Sequence, residues 1–268
     1  MKIIISHDID HLYPSDHLKD LIFPKLWIRS LGKLLKGEIS FKIFLHRLLS
    51  IFSKRLNRIP EIVAFNKTNN IPATFFFGMA NGLGMSYQPE KAKKWIRFVL
   101  DSGVDAGVHG IDFKCLQNIN NEFNLFKQLS GLSEFGIRTH YVRYDSDTFM
   151  KFAETGYLFD CSQFNKKETE LKNVYKVGSM WEFPLHIMDD YILKNGRLDA
   201  AVSTTEEIVK KAEKEGIEYF SFLFHDFYYN DKTYPQNKAY YEWFVDFCKQ
   251  NNFGFISYKQ AVEELKIK

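Results

Sequence analysis

At residues 3–10 the chain reads IIISHDID, an apolar run that leads directly into two carboxylates. The three isoleucines predict a strand over residues 2–6. Asp8 and Asp10 are spaced i, i+2, so in an extended backbone both side chains point to the same side. Neighbouring carboxylates repel each other unless a cation lies between them or one stays protonated. The stretch therefore predicts a metal or acid–base site at a strand end, or else a pair of solvated turn residues.

Short apolar runs alternate with longer amphipathic runs along the rest of the chain. This alternation is typical of an α/β fold with a largely parallel sheet. We expect strands at residues 2–6, 73–77, 105–108, 137–139, 181–183, 219–224 and 254–256. We expect helices at residues 89–102, 121–132, 146–155, 204–215, 236–250 and 258–265.

Length and composition predict one domain over residues 1–268. With 45% hydrophobic residues, the chain can bury one sizeable core. The net charge of +3 gives no reason to expect nucleic-acid binding. Three widely spaced cysteines offer no disulfide framework and favour a reducing compartment. No apolar run has the length of a signal peptide or a membrane span, so we expect a cytoplasmic protein.

Residues 17–58 interrupt the alternation, because they are too long for a simple crossover between the first two strands. The segment contains ten lysines and arginines but only two acidic residues, Asp20 and Glu38. Its apolar residues recur at helical spacing, which predicts two helices, one of them amphipathic and basic. Either the insertion packs its apolar face on the sheet, or it forms a surface for peripheral contact with a membrane or a lipid-linked substrate.

Three further predicted strands end in residues that carry chemistry. His109 ends the strand that begins at Asp105, Arg138 and Arg143 accompany the next one, and His225 follows the apolar run at 220–224. Each alone has a structural explanation, as a hydrogen-bonded histidine or a surface ion pair. In barrel-like parallel folds, however, active sites form where the carboxyl ends of the strands meet. The combination with the first stretch therefore predicts one shared site.

Together these segments resemble the polysaccharide deacetylase family, also called the NodB-homology or carbohydrate esterase family four fold, in a divergent branch. Residues 6–10 resemble its first motif, residues 107–110 its histidine motif, and residues 224–225 its last motif. Residues 73–77 resemble the family's second strand, and residues 181–185 resemble its aromatic motif. Residues 138–145 resemble its arginine motif, and residues 156–160 resemble the strand after that motif. The resemblance implies a distorted seven-stranded (β/α) barrel, with a helical insertion after the first strand.

The resemblance also implies catalytic roles for residues of this sequence. Asp8 would be the catalytic base, and His225 would be the general acid. Arg138 or Arg143 would orient Asp8, and of the two we favour Arg143. The family has adjacent aspartates in its first motif, whereas here Ile9 separates them.

The metal ligands implied by the resemblance are Asp10 and His109, which would hold a divalent ion that we expect to be Zn²⁺. The family has a second histidine four positions after the first, but this chain has Phe113 there. A phenylalanine cannot bind a metal, so we take Asp112 as the third ligand. A water molecule in its place, or a weaker metal site, are the alternatives.

These roles imply a metal-dependent hydrolase that removes an acyl group, such as acetyl, from an amino sugar or glycan precursor. A nucleotide-linked or lipid-linked glycan would suit the basic insertion, and a place in surface-polysaccharide biosynthesis is expected. One alternative is a non-catalytic barrel that binds a glycan or a protein partner. Another is a hydrolase of small non-sugar amides.

Overall fold

The computed structural model describes residues 1–164, 171–193 and 197–268, and in these residues a single sheet forms the centre of the molecule. Its strands are β1 (Lys2–Ile9), β2 (Thr74–Gly78), β3 (Asp105–Gly110), β4 (Ile137–Thr139), β5 (Phe159–Asp160), β6 (Tyr175–Val177), β7 (Met180–Glu182), β8 (Leu185–Met188), β9 (Tyr219–Leu223) and β10 (Gly254–Phe255). The helices are α1 (Ile22–Leu35), α2 (Phe41–Leu49), α3 (Ile59–Thr68), α4 (Pro89–Asp101), α5 (Leu116–Ser130), α6 (Thr148–Thr155), α7 (Asp189–Ile192), α8 (Leu198–Lys214), α9 (Pro235–Gln250) and α10 (Tyr258–Ile267).

The strand order is β6-β7-β5-β4-β3-β2-β1-β9-β8, and β10 pairs with the start of β1. Among the described strands only β6 and β7 pair in antiparallel fashion. A parallel bridge between Phe164 and Leu185 links the segment after β5 to β8. The sheet is therefore a curled, mostly parallel half-barrel, which confirms the predicted distorted barrel fold.

The strand β1 lies near the middle of the sheet, and this explains its composition. From Ile3 to Asp10 every residue is buried, because β1 pairs with β9, β10 and β2 and has helices or other strands around it. Central parallel strands are covered on both faces and favour β-branched residues. Its register with β2 pairs Asp8 with Phe76. The strand therefore delivers its carboxylates to the carboxyl edge of the sheet.

All seven predicted strands overlap strands of the structure, and the six predicted helices overlap α4, α5, α6, α8, α9 and α10. The sequence reasoning did not predict α3, which provides the crossover into β2, or the strands β6 and β8. The helix α3 has a proline in its first turn and buries Ile59, Ile62 and Val63. It follows the insertion directly, so its short apolar pattern merges with that of the longer segment before it.

Two helices, α1 and α2, lie within residues 17–58 and contact each other. Phe23 is buried, but much of the apolar surface of this segment is not. Nine of the seventeen large apolar side chains that are exposed in the described residues belong to it: Leu18, Leu21, Ile28, Leu31, Leu35, Phe41, Leu45, Leu49 and Phe52. The rest of the protein therefore covers only part of the apolar surface of this segment. None of the helices in the described ranges combines the length and apolarity that crossing a membrane requires.

Candidate active site

Three side chains from the ends of three different strands meet at the carboxyl edge of the sheet. Asp10 follows β1, His109 belongs to β3, and His140 follows β4. Asp10 Oδ1 lies 3.2 Å from His109 Nε2 and 3.5 Å from His140 Nδ1, and the two imidazole nitrogens lie 3.0 Å apart. All three residues are buried. Their ligand atoms are close enough together to hold a single metal ion.

Hydrogen bonds fix which nitrogen of each imidazole carries the proton. His109 Nδ1 lies 3.0 Å from the carbonyl of Arg138, and His140 Nε2 lies 3.3 Å from the carbonyl of Leu83. A carbonyl only accepts, so these nitrogens are the donors. The nitrogens that face Asp10 are then acceptors in the neutral rings, and Asp10 Oδ1 has no hydrogen-bond partner. Three facing acceptors need a cation or a shared proton between them, and metal-bound histidines commonly use the same second-nitrogen contact.

The charges within this group shift its pKa values. Burial alone would raise the pKa of Asp10, but its electrostatic attraction to His140, His225 and His109 holds it well below its usual range. Burial would lower the pKa of His109, but Asp8 and Asp10 raise it overall. An ionised carboxylate beside two imidazoles is a donor set that suits Zn²⁺ and similar divalent ions. The residues present therefore fit a metal.

His140 was not predicted, and a distorted backbone brings it into the group. Tyr141 and Val142, the next two residues, have φ angles of 62° and 48°. The left-handed region is unfavourable for residues with a side chain, especially for β-branched valine. Backbone strain of this kind concentrates at functional sites. The only sequence signal is that His140 directly follows a predicted strand, within the residues 138–145 that resemble the arginine motif.

The structure does not place Asp112 with Asp10 and His109. Its carboxylate accepts hydrogen bonds from the backbone of Lys114 and Cys115 and from Asn118 at the start of α5. These bonds direct its oxygens to the helix and not to the group around Asp10. The candidate third ligand is therefore His140, which supplies the donor that Phe113 cannot.

A buried ion pair joins Asp8 to Arg138. Arg138 Nη1 lies 3.0 Å from Asp8 Oδ1, and neither side chain has appreciable exposure. The remaining donors of Arg138 reach the carbonyl of Cys161 and the hydroxyl of Tyr258. Asp8 Oδ2 is directed elsewhere and lies 3.6 Å from His109 Nε2. Arg138 thus fixes one oxygen of Asp8 and leaves the other beside the metal-binding group.

The prediction that Arg143 is the partner of Asp8 was wrong, because Arg143 does not reach Asp8. Arg143 donates to the backbone carbonyls of His140 and Ile111. It therefore supports the distorted segment that carries His140. Arg138 is fully buried on β4 and faces β1, which is why it can reach Asp8.

His225 lies beside the second carboxylate oxygen of Asp10, Oδ2, whereas His109 and His140 lie beside Oδ1. Its Nε2 is 3.8 Å from Asp10 Oδ2, and its Nδ1 is 2.7 Å from Asp189 Oδ1. Asp189 is fully buried and also accepts the backbone N–H of His225. Burial would lower the pKa of His225, but the carboxylate of Asp189 raises it well above its usual value. This favours a protonated imidazole, and Asp189 is a functional candidate that the sequence reasoning missed.

A cavity of about 630 Å³ adjoins this edge of the sheet. His11, Tyr141 and Phe227 line it, and each lies one or two residues along the chain from Asp10, His140 or His225. On its other side the cavity is bounded by α1 and α2. Its volume is typical of sites for small ligands. The helical insertion therefore covers the approach to the buried group.

Solved structures share this architecture across nearly the whole chain. A protein from Mycobacterium smegmatis, provisionally designated a polysaccharide deacetylase, has 13% identity and a TM-score of 0.65, covering 99% of this chain and 90% of that one. The chain has the fold of the polysaccharide deacetylases. The resemblance predicted from its motifs is confirmed at the level of the fold.

Two other structures show how varied the activities on this fold are. Puue allantoinase has 12% identity and a TM-score of 0.60, with 98% of this chain and 88% of that chain covered. A CE4-family pseudoenzyme from Bacillus anthracis has 7% identity and a TM-score of 0.51, with 97% and 65% covered. No protein-family model and no curated protein matches the sequence. The polysaccharide deacetylase fold alone therefore does not establish catalysis, and support for catalysis has to come from the residues of the site.

Proposed function

We propose that this protein is a metal-dependent hydrolase that removes an acetyl group from an amino sugar or glycan precursor. The observation that carries the proposal is the group of three facing acceptor atoms from Asp10, His109 and His140. Beside it lie a carboxylate held by an arginine and a histidine held by a carboxylate. Such a set contains the base, the acid and the ligand types that metal-assisted amide hydrolysis needs.

Asp10, His109 and His140 would hold the metal, which we expect to be Zn²⁺. When bound, such an ion polarises an acyl carbonyl and lowers the pKa of a water molecule. Asp8 would accept the proton of the attacking water at Oδ2, because Arg138 occupies its other oxygen. The ion pair with Arg138 also keeps the orientation of this carboxylate fixed.

His225 would donate a proton to the departing amine. Its Nδ1 contact with Asp189 leaves Nε2 as the nitrogen on the side of Asp10. The raised pKa of His225, caused by Asp189, favours the protonated imidazole that a general acid requires. Asp189 acts through His225 and is a positioning residue.

The direct test is acetate release from N-acetylglucosamine oligomers by the purified full-length protein loaded with Zn²⁺. Asp8→Asn should lower kcat by at least about a hundredfold, because positioned acid–base groups contribute factors of that order. The circular-dichroism spectrum should still be that of a folded protein, since asparagine has the same shape, although loss of the ion pair with Arg138 lowers the stability. Full activity in Asp8→Asn would reject the assignment of Asp8 as the base.

A small non-sugar amide is the second candidate substrate. The site is nearly closed, with Asp8, His109 and His140 all at most 5% exposed, and allantoinase shares the fold. Hydrolysis of allantoin, with no acetate released from sugars, would favour this function. A protein with neither metal nor hydrolysis would favour the non-catalytic glycan-binding or partner-binding alternative. A cytoplasmic location and a role in surface-polysaccharide biosynthesis stay predictions.

A further inference from the structure

The cavity beside the site is lined by many cations and by no anion in the described residues. Seven lysines and arginines line it, together with His11 and His46, and no aspartate or glutamate does. Lys25, Arg29 and Lys33 come from α1. A cavity with walls of one sign concentrates field lines and attracts ions of the other sign. Its charge therefore distinguishes this cavity from a neutral sugar groove.

Most of these cations lack a carboxylate partner within the described ranges. Arg55 and Arg58 pair with Glu61, but Lys25, Arg29, Lys33, Arg47 and Lys232 form no ion pair there.

Arg47 is the most constrained of the unpaired cations. It is 7% exposed, donates to the carbonyl of Thr233 and the hydroxyl of Ser30, and lies over the ring of Tyr234. A buried guanidinium held without a counter-ion is unfavourable unless an anion completes its environment.

Two further acidic residues lie close to Lys33 and Arg47. Glu38 and Asp190 line a separate cavity of about 210 Å³, which shares Lys33 and Arg47 with the larger one. Burial and the charge of Arg47 lower the pKa of Lys33, whereas Glu38 and Asp190 act in the opposite direction. The lowering reflects the partial burial of Lys33 first and its closeness to the like charge of Arg47 second.

The cavity also extends towards the reacting groups. His11 and Tyr141 line it and are next in the chain to Asp10 and His140. The cations of α1 lie on the insertion that forms its outer wall. A ligand with its acyl group near Asp10 and His225 would therefore place its other end among the lysines and arginines.

We propose that this cavity is a phosphate-binding subsite, and that the substrate is an acetylated sugar carried on a phosphate or diphosphate ester. Lysine and arginine are the usual partners of phosphate oxygens, and arginine binds them through two N–H groups at once. The inference rests on the proposed hydrolase function and adds the substrate class to it. Both a nucleotide and a lipid carrier present this chemistry.

Binding of inorganic pyrophosphate to metal-free full-length protein tests the subsite without any hydrolysis. The metal must be removed because pyrophosphate also binds metal ions. Arg29→Gln/Lys33→Gln should weaken binding by about tenfold or more, since hydrogen bonds to charged groups contribute that much. The matched control is Lys36→Gln/Lys42→Gln, which removes two exposed charges from the same segment outside the cavity.

Calorimetric titration of the four proteins gives a clear decision. Equal affinity in the cavity variant and the control, or no binding by the natural protein, would overturn the proposal. Unchanged pyrophosphate binding in His140→Gln would place the anion away from the metal-binding group and support it. Loss of binding in His140→Gln alone would instead assign the anion to the imidazoles of that group and overturn it.

Kinetics with the Zn²⁺-loaded protein then identify the carrier and keep the two hypotheses separate. Arg29→Gln/Lys33→Gln should raise KM for a diphosphate-linked acetylated sugar about tenfold with kcat little changed, while hydrolysis of the free sugar is unaffected. Uridine-diphosphate and isoprenoid-diphosphate sugars are the two arms. If no sugar is hydrolysed but pyrophosphate still binds the cavity, the hydrolase function fails and the anion subsite stands.

Discussion

Asp8 and Arg138 depend on each other because both are removed from water. Arg138 has no exposed surface, and Asp8 is 2% exposed. Removing one partner of a buried ion pair leaves an uncompensated charge and destabilises proteins by about 3–5 kcal/mol. Arg138→Gln should therefore lower the free energy of unfolding by about this amount and reduce activity as well.

Arg143→Gln provides the comparison in urea-unfolding experiments. Arg143 donates to two backbone carbonyls and lies over the ring of Phe113 but has no buried carboxylate partner in the described residues, so its loss should lower the free energy of unfolding by about 1–2 kcal/mol. Equal losses of stability in the two variants would contradict the assignment of Arg138 as the partner of Asp8.

Glu182 and Asp160 form a second buried carboxyl pair, directly opposite each other on β7 and β5. Each has one oxygen without a hydrogen-bond partner, Glu182 Oε2 and Asp160 Oδ2. Burial raises the pKa of both groups, and Asp160 raises that of Glu182 further. The raised pKa favours the protonated form of Glu182, which could then donate to Asp160.

A raised carboxyl pKa makes the folded state bind more protons than the unfolded state. The stability of the natural protein should then fall as pH rises above about 4.3, by up to about 1.4 kcal/mol per pH unit from this group. Glu182→Gln is neutral at every pH, so its Tm relative to the natural protein should be higher at pH 8 than at pH 4. Glu263→Gln, an exposed control, should show no such trend. A Tm difference that is the same at both pH values for Glu182→Gln would contradict the pairing.

Residue types at strand ends predicted much of the site, and local geometry explains the rest. The structure brings Asp8, Asp10, His109, Arg138 and His225 together, and each lies at or just beyond the carboxyl end of a strand. His140 could not be predicted because its direction depends on the left-handed backbone that follows it. Asp189 could not be predicted because nothing in the spacing relates it to a histidine 36 positions later.

Hydrophobic periodicity predicted those strands and helices whose apolar residues form a distinctive pattern. The apolar runs of β1, β2 and β9 are almost fully buried, so their sequences report burial directly. The strand β6 is partly exposed and β8 includes the polar residue His186, so neither has a distinctive run. The short hairpin of β6 and β7 breaks the strand–helix alternation from which the other elements were predicted.

The helices of the insertion offer a surface suited to an anionic bilayer, and we expect peripheral binding there. Their exposed apolar side chains lie among ten lysines and arginines and two acidic residues within residues 17–58. Buried apolar area and attraction to anionic lipids act together in such contacts. The full-length protein should co-sediment with phosphatidylcholine vesicles that contain phosphatidylglycerol, and less with vesicles that lack it or at high salt.

Two double variants distinguish binding through the insertion from nonspecific adsorption through exposed apolar side chains elsewhere. Leu35→Ser/Phe52→Ser removes side chains that are 80% and 83% exposed on the insertion, and should abolish co-sedimentation. Met150→Ser/Ile267→Ser removes exposed apolar side chains elsewhere and should bind as the natural protein does. If both variants bind equally well, the insertion is not the membrane-contacting surface.

At the scale of the whole molecule, the fold was predictable from a few motifs although sequence identity to the solved structures is only 7–13% for those compared above. The motifs mark the carboxyl ends of successive strands, and a parallel sheet with helical crossovers has few ways to bring those ends together. The positions of α1 and α2 along the cavity beside the site were not predictable, because a crossover from β1 to β2 does not require these two helices.

Metal binding should stabilise the entire molecule, because its candidate ligands come from three different strands of the sheet. Asp10, His109 and His140 follow or end β1, β3 and β4, which assemble only in the folded chain. A ligand that binds only the folded state at about 100 times its Kd adds about 2.7 kcal/mol, which for a chain of this size raises Tm by roughly 5–10 °C. His140→Gln should lose most of the Tm increase caused by Zn²⁺, whereas Asp112→Asn should retain it. Each variant is compared with its own metal-free form, so any effect on the apo protein cancels. Loss of the increase in Asp112→Asn with retention in His140→Gln would return the third ligand to Asp112.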